Sequence, residues 1–167
     1  MGATSRFLDY AQGFELTFDD DDWSRLERHF APDAVYEVRN MSFACRIAGR
    51  EAIFRGLKKS LDGFDRKLPK RSIEVTDPPT EDGDSMTIGW VATYEKPGAP
   101  PFKLRGRSTA RYRGEMIVEL VDEFPDGMSD EAERWVRDHA PELDASYGVS
   151  RSVRYENAVT FIGPRSS

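Results

Sequence analysis

The fold of this chain is decided by residues 23–39, which read WSRLERHFAPDAVYEVR. Trp23, Leu26 and Phe30 recur at the i, i+3, i+7 spacing that places side chains on one face of a helix. Pro32 cannot continue this helix, because it lacks a backbone donor and disfavours helical geometry in the residue before it. The residues after the proline are typical of a strand. The stretch therefore predicts a short amphipathic helix, a break, and a buried strand that starts two residues after the proline.

Outward from this stretch, the chain divides into a helical first part and a strand-rich second part. Apolar residues at helical spacing predict a first helix over residues 5–18 and a third helix between Gly49 and Gly63. Ser129 is predicted to cap a fourth helix after the strands. Alternation of apolar and polar residues predicts strands over 72–76, 85–94, 102–113 and 116–124. The prolines Pro78-Pro79 are predicted to stop the first of these strands. This order of elements is typical of an α+β fold.

Composition limits the kind of protein that this chain can be. A length of 167 residues suits one domain with a substantial core. The net charge of −6 argues against nucleic acid and anionic membranes as partners. The single cysteine, Cys45, excludes an internal disulfide and a thiolate metal cluster. Because no apolar run could span a membrane and the N-terminus lacks the apolar segment of a signal peptide, we expect a cytoplasmic location.

The order of the elements and three short segments resemble a known family. The segments are FAPDAVYE at Phe30–Glu37, GREAI at Gly49–Ile53 and IVELVDEF at Ile117–Phe124. Together they resemble the nuclear transport factor 2-like (SnoaL-like) superfamily over residues 5–124. The resemblance implies a curved antiparallel sheet shaped as a cone, closed by N-terminal helices around an internal pocket.

The resemblance also implies a division of the chain. Residues 1–127 are expected to form the cone domain. Residues 128–167 lie outside the usual family pattern, and we expect a C-terminal helix and arm that pack on the same domain. The segment 153–162 is predicted to be either an additional strand or an extended arm.

Known catalytic positions of the family are changed in this chain. The resemblance places Phe14, Val38 and Ser108 where ketosteroid isomerase has its tyrosine, its aspartate base and its second acid. Steroid isomerisation by that mechanism is therefore not expected. Limonene epoxide hydrolase resembles this chain at Tyr36, but Gly106 and Ser108 replace its Arg-x-Asp pair. The fold alone leaves the function open.

The candidate for acid–base chemistry comes from the register of the last two strands. The even-numbered residues of 102–113 must face inward, because the other face carries Lys and Arg. A two-residue turn near Gly114 places odd-numbered residues of the return strand opposite even-numbered ones. This puts Glu119 on the inner face, Glu123 on that face towards one end, and Asp122 outside. A three-residue turn would reverse the assignment.

Glu119 is therefore the predicted catalytic acid or base, since apolar walls would desolvate its carboxylate. Tyr36 is the second predicted catalytic residue, because its hydroxyl could orient a ligand or water. The alternatives are a structural glutamate that a nearby donor satisfies and a tyrosine that only fills the core. The side chains predicted to contact a ligand are Tyr10, Phe14, Val38, Trp90, Ser108 and Glu123.

Neither a metal site nor a cofactor is predicted. The two histidines, His29 and His139, lack metal-ligand spacing, and the sequence has no phosphate-binding loop. Basic residues at odd positions of 102–113 favour a solvated or dimer-forming face over a nucleic-acid site, because no aromatic residues share that face. In this family the outer sheet face often supports a homodimer, and the resemblance implies the same here.

Two functions follow from these observations. The first is a cofactor-independent isomerase, cyclase or (de)hydratase that acts on an apolar, cyclic small molecule. The alternative is a non-catalytic module for ligand binding or dimerisation, with a filled or degenerate pocket. The absence of the family's acids favours the alternative, whereas an aromatic-lined cone with an enclosed carboxylate favours the enzyme.

Overall fold

The computed structural model describes residues 1–143 and 159–161. It has the predicted α+β fold, in which helices cover a curved sheet in the manner of the nuclear transport factor 2-like cone. The described residues form three α-helices and two 3₁₀ helices. The α-helices are α1 (Ala3–Asp20), α2 (Arg50–Gly63) and α3 (Met128–His139), and the 3₁₀ helices span Trp23–His29 and Asp65–Lys67.

The described strands form one curved sheet. They are β1 (Phe30–Arg39), β2 (Cys45–Ala48), β3 (Lys70–Asp82), β4 (Ser85–Glu95), β5 (Phe102–Arg113), β6 (Met116–Glu123) and β7 (Val159–Phe161). Their order across the sheet is β3-β4-β5-β6-β1-β2-β7. Neighbouring strands pair antiparallel except β1 and β6, which run parallel. The sheet is therefore mixed, and its last long strand returns beside the first.

The deciding stretch has the predicted order of elements but a different boundary. Strand β1 starts at Phe30, before Pro32 rather than after it. The pairing of β1 with β6 is irregular between Phe30 and Val35, so the proline sits where its missing N–H breaks no regular ladder. Phe30 is fully buried and packs edge-on against Tyr10 and Phe54, at ring distances of 5.3 and 5.5 Å. This contact fixes α1 and α2 over the sheet.

Strand β3 is longer than predicted. It runs through Pro78-Pro79 to Asp82, with irregular pairing to β4 around Asp77. Strand β3 is an edge strand, so only one of its sides is hydrogen-bonded to a neighbouring strand. A proline whose missing N–H would point to the open side therefore interrupts no ladder hydrogen bond. Most of the strand is exposed, including the apolar side chains of Ile73 and Val75.

A β-bulge sets the register of β5 and β6. Next to the turn, Tyr112 pairs with Ile117, as the two-residue turn predicts. The following pair is Arg111 with Glu119, so Val118 is an extra residue on β6. A one-residue shift moves every later side chain of a strand to the opposite face of the sheet.

The bulge makes the predicted orientations of Glu119 and Glu123 wrong. Glu119 lies on the outer face, where its carboxylate pairs with Arg111 at 3.1 Å. Glu123 lies on the same face, opposite Arg107 in the register. Asp122, which the prediction placed outside, faces the core.

Helix α3 packs against the end of β5. The Trp135 ring stacks on Phe102 with a centroid distance of 5.4 Å, and its indole N–H donates to the Pro100 carbonyl at 2.8 Å. The predicted cap, Ser129, lies inside the helix instead, and its hydroxyl accepts from the Ser42 N–H at 2.9 Å. Of the predicted strand or arm, only Val159–Phe161 lies within the described residues, where it pairs with β2.

Candidate functional site

A cavity of about 510 Å³ lies between the inner face of the sheet and the helices that cover it. Most of its walls are apolar. Its mouth is marked by apolar lining residues that are exposed to solvent, which are Leu8 of α1 and Ile73 and Val75 of β3. Polar side chains line the cavity in two places, at a floor around Asp122 and near the mouth around Arg71.

The floor of the cavity is a hydrogen-bonded chain that ends on the Asp122 carboxylate. The Tyr36 hydroxyl donates to one carboxylate oxygen at 2.6 Å, and the Ser108 hydroxyl donates to the other at 2.6 Å. The Trp90 indole N–H donates to the Ser108 oxygen at 2.8 Å. Asp122 is thus held in one orientation by neutral donors.

Four strands bring these residues together. Asp122 on β6 pairs with Ser108 on β5, and Ser108 pairs with Ile88 on β4, two residues before Trp90. On the other side, Asp122 pairs with Val38 on the parallel strand β1, which also carries Tyr36. The bulge at Val118 is what aligns Asp122 with this inner row, so the site depends on a local irregularity of the sheet.

Burial dominates the electrostatics of the floor. It raises the pKa of Asp122 above the usual aspartate range, although the hydrogen bonds from Ser108 and Tyr36 act to lower that pKa. Burial, and then the neighbouring Asp122 charge, also raise the pKa of Tyr36 well above its ordinary value. A carboxyl group of this kind can exchange a proton closer to neutral pH than a solvated aspartate.

A second hydroxyl faces the floor from α1. Tyr10 lines the cavity, and its hydroxyl makes no hydrogen bond to any other residue in the described part of the chain. Burial, followed by the Asp122 charge, raises the pKa of the Tyr10 phenol, so this hydroxyl stays protonated. Rings of Phe7, Phe14 and Phe30 pack around it at 5.3–6.2 Å. Tyr10 is therefore a fixed donor available to a bound molecule.

The mouth has a different polar cluster, centred on Arg71. Its Nε donates to the buried Asp65 carboxylate at 3.1 Å, and the Tyr94 hydroxyl donates to the same oxygen at 2.8 Å. The two terminal nitrogens of Arg71 donate to the two carboxylate oxygens of Glu15, at 2.8 and 3.1 Å. Burial raises the pKa of Asp65, and Arg71 and Tyr94 act to lower it.

The structure brings most of the predicted site residues to the cavity. Tyr36, which was predicted to be catalytic, contacts Asp122 directly. The predicted ligand-contacting residues that line the cavity are Tyr10, Phe14, Val38, Trp90 and Ser108. Glu119 and Glu123 do not line it. They lie in a smaller depression on the outer face of the sheet, together with Arg39, Arg107 and Arg111.

Sequence reasoning missed Asp122, Asp65 and Arg71. A signal for Asp122 exists in the adjacent apolar residues Ile117 and Val118, since two in succession interrupt strand alternation and indicate a bulge. No comparable signal marks Asp65 and Arg71, because they meet through a 3₁₀ turn whose geometry the sequence does not specify.

His29 and Cys45 do not line the cavity. His29 is buried beside Tyr10, and burial lowers its pKa. Burial raises the pKa of the Cys45 thiol to about 11. Within residues 1–143 and 159–161, no group of three metal-ligating side chains is present. No helix in this part of the chain is both long and apolar enough to cross a membrane.

Residues 11–120 match a family model described as a SnoaL-like domain. Among curated proteins, no significant match was found.

Several solved structures share the fold. A protein with a ketosteroid isomerase-like fold from Catenulispora acidiphila, in complex with trimethylamine, is 22% identical with a TM-score of 0.54, covering 82% of this chain and 95% of that one. TerC, co-crystallized with polyporic acid, is 14% identical with a TM-score of 0.58, over 81% and 98% of the two chains. A putative polyketide cyclase from Xanthomonas campestris is 17% identical with a TM-score of 0.50, over 74% and 93%. Identities this low establish likeness of fold alone.

Proposed function

Since the chain belongs to the SnoaL-like domain family of the nuclear transport factor 2-like superfamily, we propose that it binds an apolar, cyclic small molecule in its cavity and that Asp122 transfers a proton on that molecule. The observation that carries this proposal is the Asp122 carboxylate, which neutral donors hold at the floor of an apolar cavity. The presence of polyporic acid in the TerC crystals, and of a putative polyketide cyclase among the similar folds, is in keeping with a cyclic ligand.

The chemistry that suits this site begins with proton abstraction. Asp122 removes a proton from a carbon next to a ketone, and its carboxylate becomes a carboxylic acid. The Tyr10 hydroxyl donates a hydrogen bond to the ketone oxygen, on which negative charge develops as the enolate forms. Tyr36 and Ser108 are positioning residues, because they hold the two oxygens of Asp122 while the proton moves.

The enolate has three outcomes, and each returns the enzyme to its starting protonation state. Return of the proton from Asp122 to a different carbon is an isomerisation. Attack of the enolate carbon on a second carbonyl of the same molecule closes a ring, and Asp122 then protonates the resulting alkoxide. Expulsion of a hydroxyl group as water, with the proton from Asp122, is a dehydration. All three need only a proton donor and acceptor in an apolar, water-poor cavity.

Deuterium exchange tests the proton abstraction without knowledge of the natural substrate. The probe is 2-tetralone, a two-ring ketone with acidic C–H bonds, and its exchange in D₂O is followed by proton NMR above the buffer rate. We expect the wild-type protein to accelerate the exchange and Asp122→Asn to reduce the acceleration by roughly 10²–10⁴-fold.

The matched control is Glu123→Gln. This residue is adjacent to Asp122 on β6, but its side chain lies in the depression on the outer face. The control should exchange the probe at the wild-type rate. Equal rates for the wild-type protein and Asp122→Asn would show that Asp122 is not the base.

A second function, ligand binding without catalysis, is favoured by one observation. Both Asp122 oxygens already accept hydrogen bonds, which is what a purely structural carboxylate requires. Mass spectrometry of the protein purified under non-denaturing conditions separates the two functions when combined with the exchange assay. A retained small molecule together with an absence of exchange would establish binding alone.

We propose that the outer face of the sheet forms a homodimer. Its depression combines Arg39, Arg107 and Arg111 with Glu119 and Glu123, so the same surface offers both charges to a second copy. A twofold contact requires this kind of self-complementary surface. A monomeric mass in light scattering would contradict the proposal.

A further inference from the structure

The mouth of the cavity contains a cation that the proton transfer at Asp122 does not use. Arg71 is the one basic side chain among the described residues that line the cavity. Its side chain is only 8% exposed, and its guanidinium lies 4.8 Å from the centre of the Phe18 ring. A guanidinium enclosed in this way is a directional donor for a planar anion.

The two sides of this guanidinium have unlike partners. Its Nε is bound to Asp65, which is buried and held by Tyr94, so this side is part of the protein core. Its terminal nitrogens form a bidentate pair with Glu15. Glu15 belongs to α1 and lines the cavity, and its side chain is 47% exposed. The fork formed by the terminal nitrogens is therefore occupied by a carboxylate that water can also solvate, and both residues line the cavity.

We propose that the two terminal nitrogens of Arg71 form a carboxylate-binding subsite, which Glu15 fills in the empty protein and from which a ligand carboxylate displaces it. This inference rests on the proposed function, because the ligand must first enter the cavity. The exchange replaces one bidentate carboxylate with another, and the released Glu15 is already half exposed to water. The guanidinium fork again pairs with one carboxylate, the released Glu15 carries its negative charge into water, and the Asp65 contact remains in place.

The position of the subsite also defines the shape of the ligand. Arg71 pairs with Tyr94 on β4, and the neighbour of Asp122, Ser108, pairs with Ile88 on the same strand. The six-residue interval between Ile88 and Tyr94 corresponds to about 20 Å of backbone, which the side chains at both ends shorten. A ligand that spans the cavity is thus an elongated ring system, with its carboxylate at the mouth and its reacting carbon near Asp122.

Competition binding with a charged and an uncharged probe tests the subsite. Nile red, an uncharged apolar dye, reports occupation of the cavity by its fluorescence. Biphenyl-4-carboxylate and biphenyl-4-carboxamide, which have the same rings, then compete with the dye. We expect the wild-type protein to bind the carboxylate about tenfold more tightly than the carboxamide. Arg71→Met should remove this preference and leave carboxamide binding unchanged.

A second variant keeps the test decisive if Arg71→Met does not fold. Glu15→Gln removes the charge of the internal competitor and should raise carboxylate affinity by about threefold or more, with no gain for the carboxamide. The matched control is Asp9→Asn, on the same helix and similarly exposed, whose carboxylate pairs with Arg28 rather than Arg71. The control should bind both probes as the wild-type protein does.

The outcomes separate the subsite from the cavity itself. If Nile red binds and the wild-type protein does not distinguish the two biphenyl probes, the subsite is wrong while small-molecule binding stands. Persistence of the preference in Arg71→Met, or equal carboxylate affinity in Glu15→Gln and the control, would also overturn the subsite. If Nile red does not bind, the proposed ligand binding fails and the subsite fails with it.

Discussion

Two aspartate carboxylates line the same cavity and differ in the charge of their partners. Asp122, at the floor, accepts hydrogen bonds from the neutral hydroxyls of Tyr36 and Ser108. Asp65, near the mouth, accepts from the Arg71 guanidinium and from Tyr94. Burial raises the pKa of both groups. The comparison shows that burial alone does not assign a role to a carboxylate.

The partners explain what each carboxylate can do. Neutral donors stabilise the Asp122 anion without a fixed positive charge, so a proton can bind and leave as a substrate reacts. The Arg71 cation keeps its charge at any physiological pH, and protonation of Asp65 would leave that cation with a weaker partner. Asp122 is therefore suited to proton transfer, and Asp65 is suited to holding Arg71 in place.

The largest expected difference between the two carboxylates is in stability. Asp65→Asn removes the charge that opposes the enclosed Arg71, and we expect a loss of about 2 kcal/mol in the free energy of unfolding. Asp122→Asn should lose less than about 1 kcal/mol, because an amide can still hydrogen-bond to two hydroxyl groups. Urea denaturation followed by circular dichroism measures both. A larger loss for Asp122→Asn would reverse the assignment of roles.

A smaller effect is expected in the pH dependence of stability. The folded protein holds the Asp122 proton more tightly than the unfolded chain, because the pKa of Asp122 is raised. Its contribution to stability is then fully present below the unfolded pKa of about 3.9 and is lost as the pH rises through the folded pKa. The stability of the wild-type protein relative to Asp122→Asn should therefore fall as the pH is raised.

The total fall in this stability difference measures how far the folded pKa of Asp122 lies above the unfolded pKa. Each pKa unit corresponds to about 1.4 kcal/mol. Asp65 titrates in both proteins, so its contribution cancels in the difference. A difference in stability that stays constant between acidic and neutral pH would mean that Asp122 has an ordinary pKa and is no more suited to proton transfer than Asp65.

Much of the fold was predictable because local chemistry determines it. The helix and the strand of 23–39 occur in the predicted order. The even-numbered residues of β4 and β5 face the core, as their alternation predicts. The boundaries were less predictable. Pro32 and Pro78 both lie inside strands, because bulges and edge positions tolerate a residue without an N–H.

The candidate site was predictable only in part, for a physical reason. Trp90 and Ser108 were placed correctly, because their strands keep a regular period of two. Asp122 and Glu119 were exchanged, because the extra residue Val118 changes the face of all that follows it. Tertiary packing favours the bulge. Without the extra residue, the side chain of Glu119 rather than that of Leu120 would lie in the apolar cavity. The parallel pairing of β1 with β6 also supports the observed register, because it places Leu120 beside Tyr36.

The smallest expected effect belongs to Glu119, and it tests this register. Its pair with Arg111 is exposed on the outer face, with side-chain exposures of 35% and 56%. Exposed ion pairs contribute little, so Glu119→Gln should change the free energy of unfolding by less than about 0.5 kcal/mol. The Glu119→Gln variant should also catalyse deuterium exchange of 2-tetralone at the wild-type rate, in contrast to Asp122→Asn. If Glu119→Gln instead slowed the exchange as much as Asp122→Asn, Glu119 would have to lie inside the cavity, and the contrast between Asp122 and Asp65 would lose its basis.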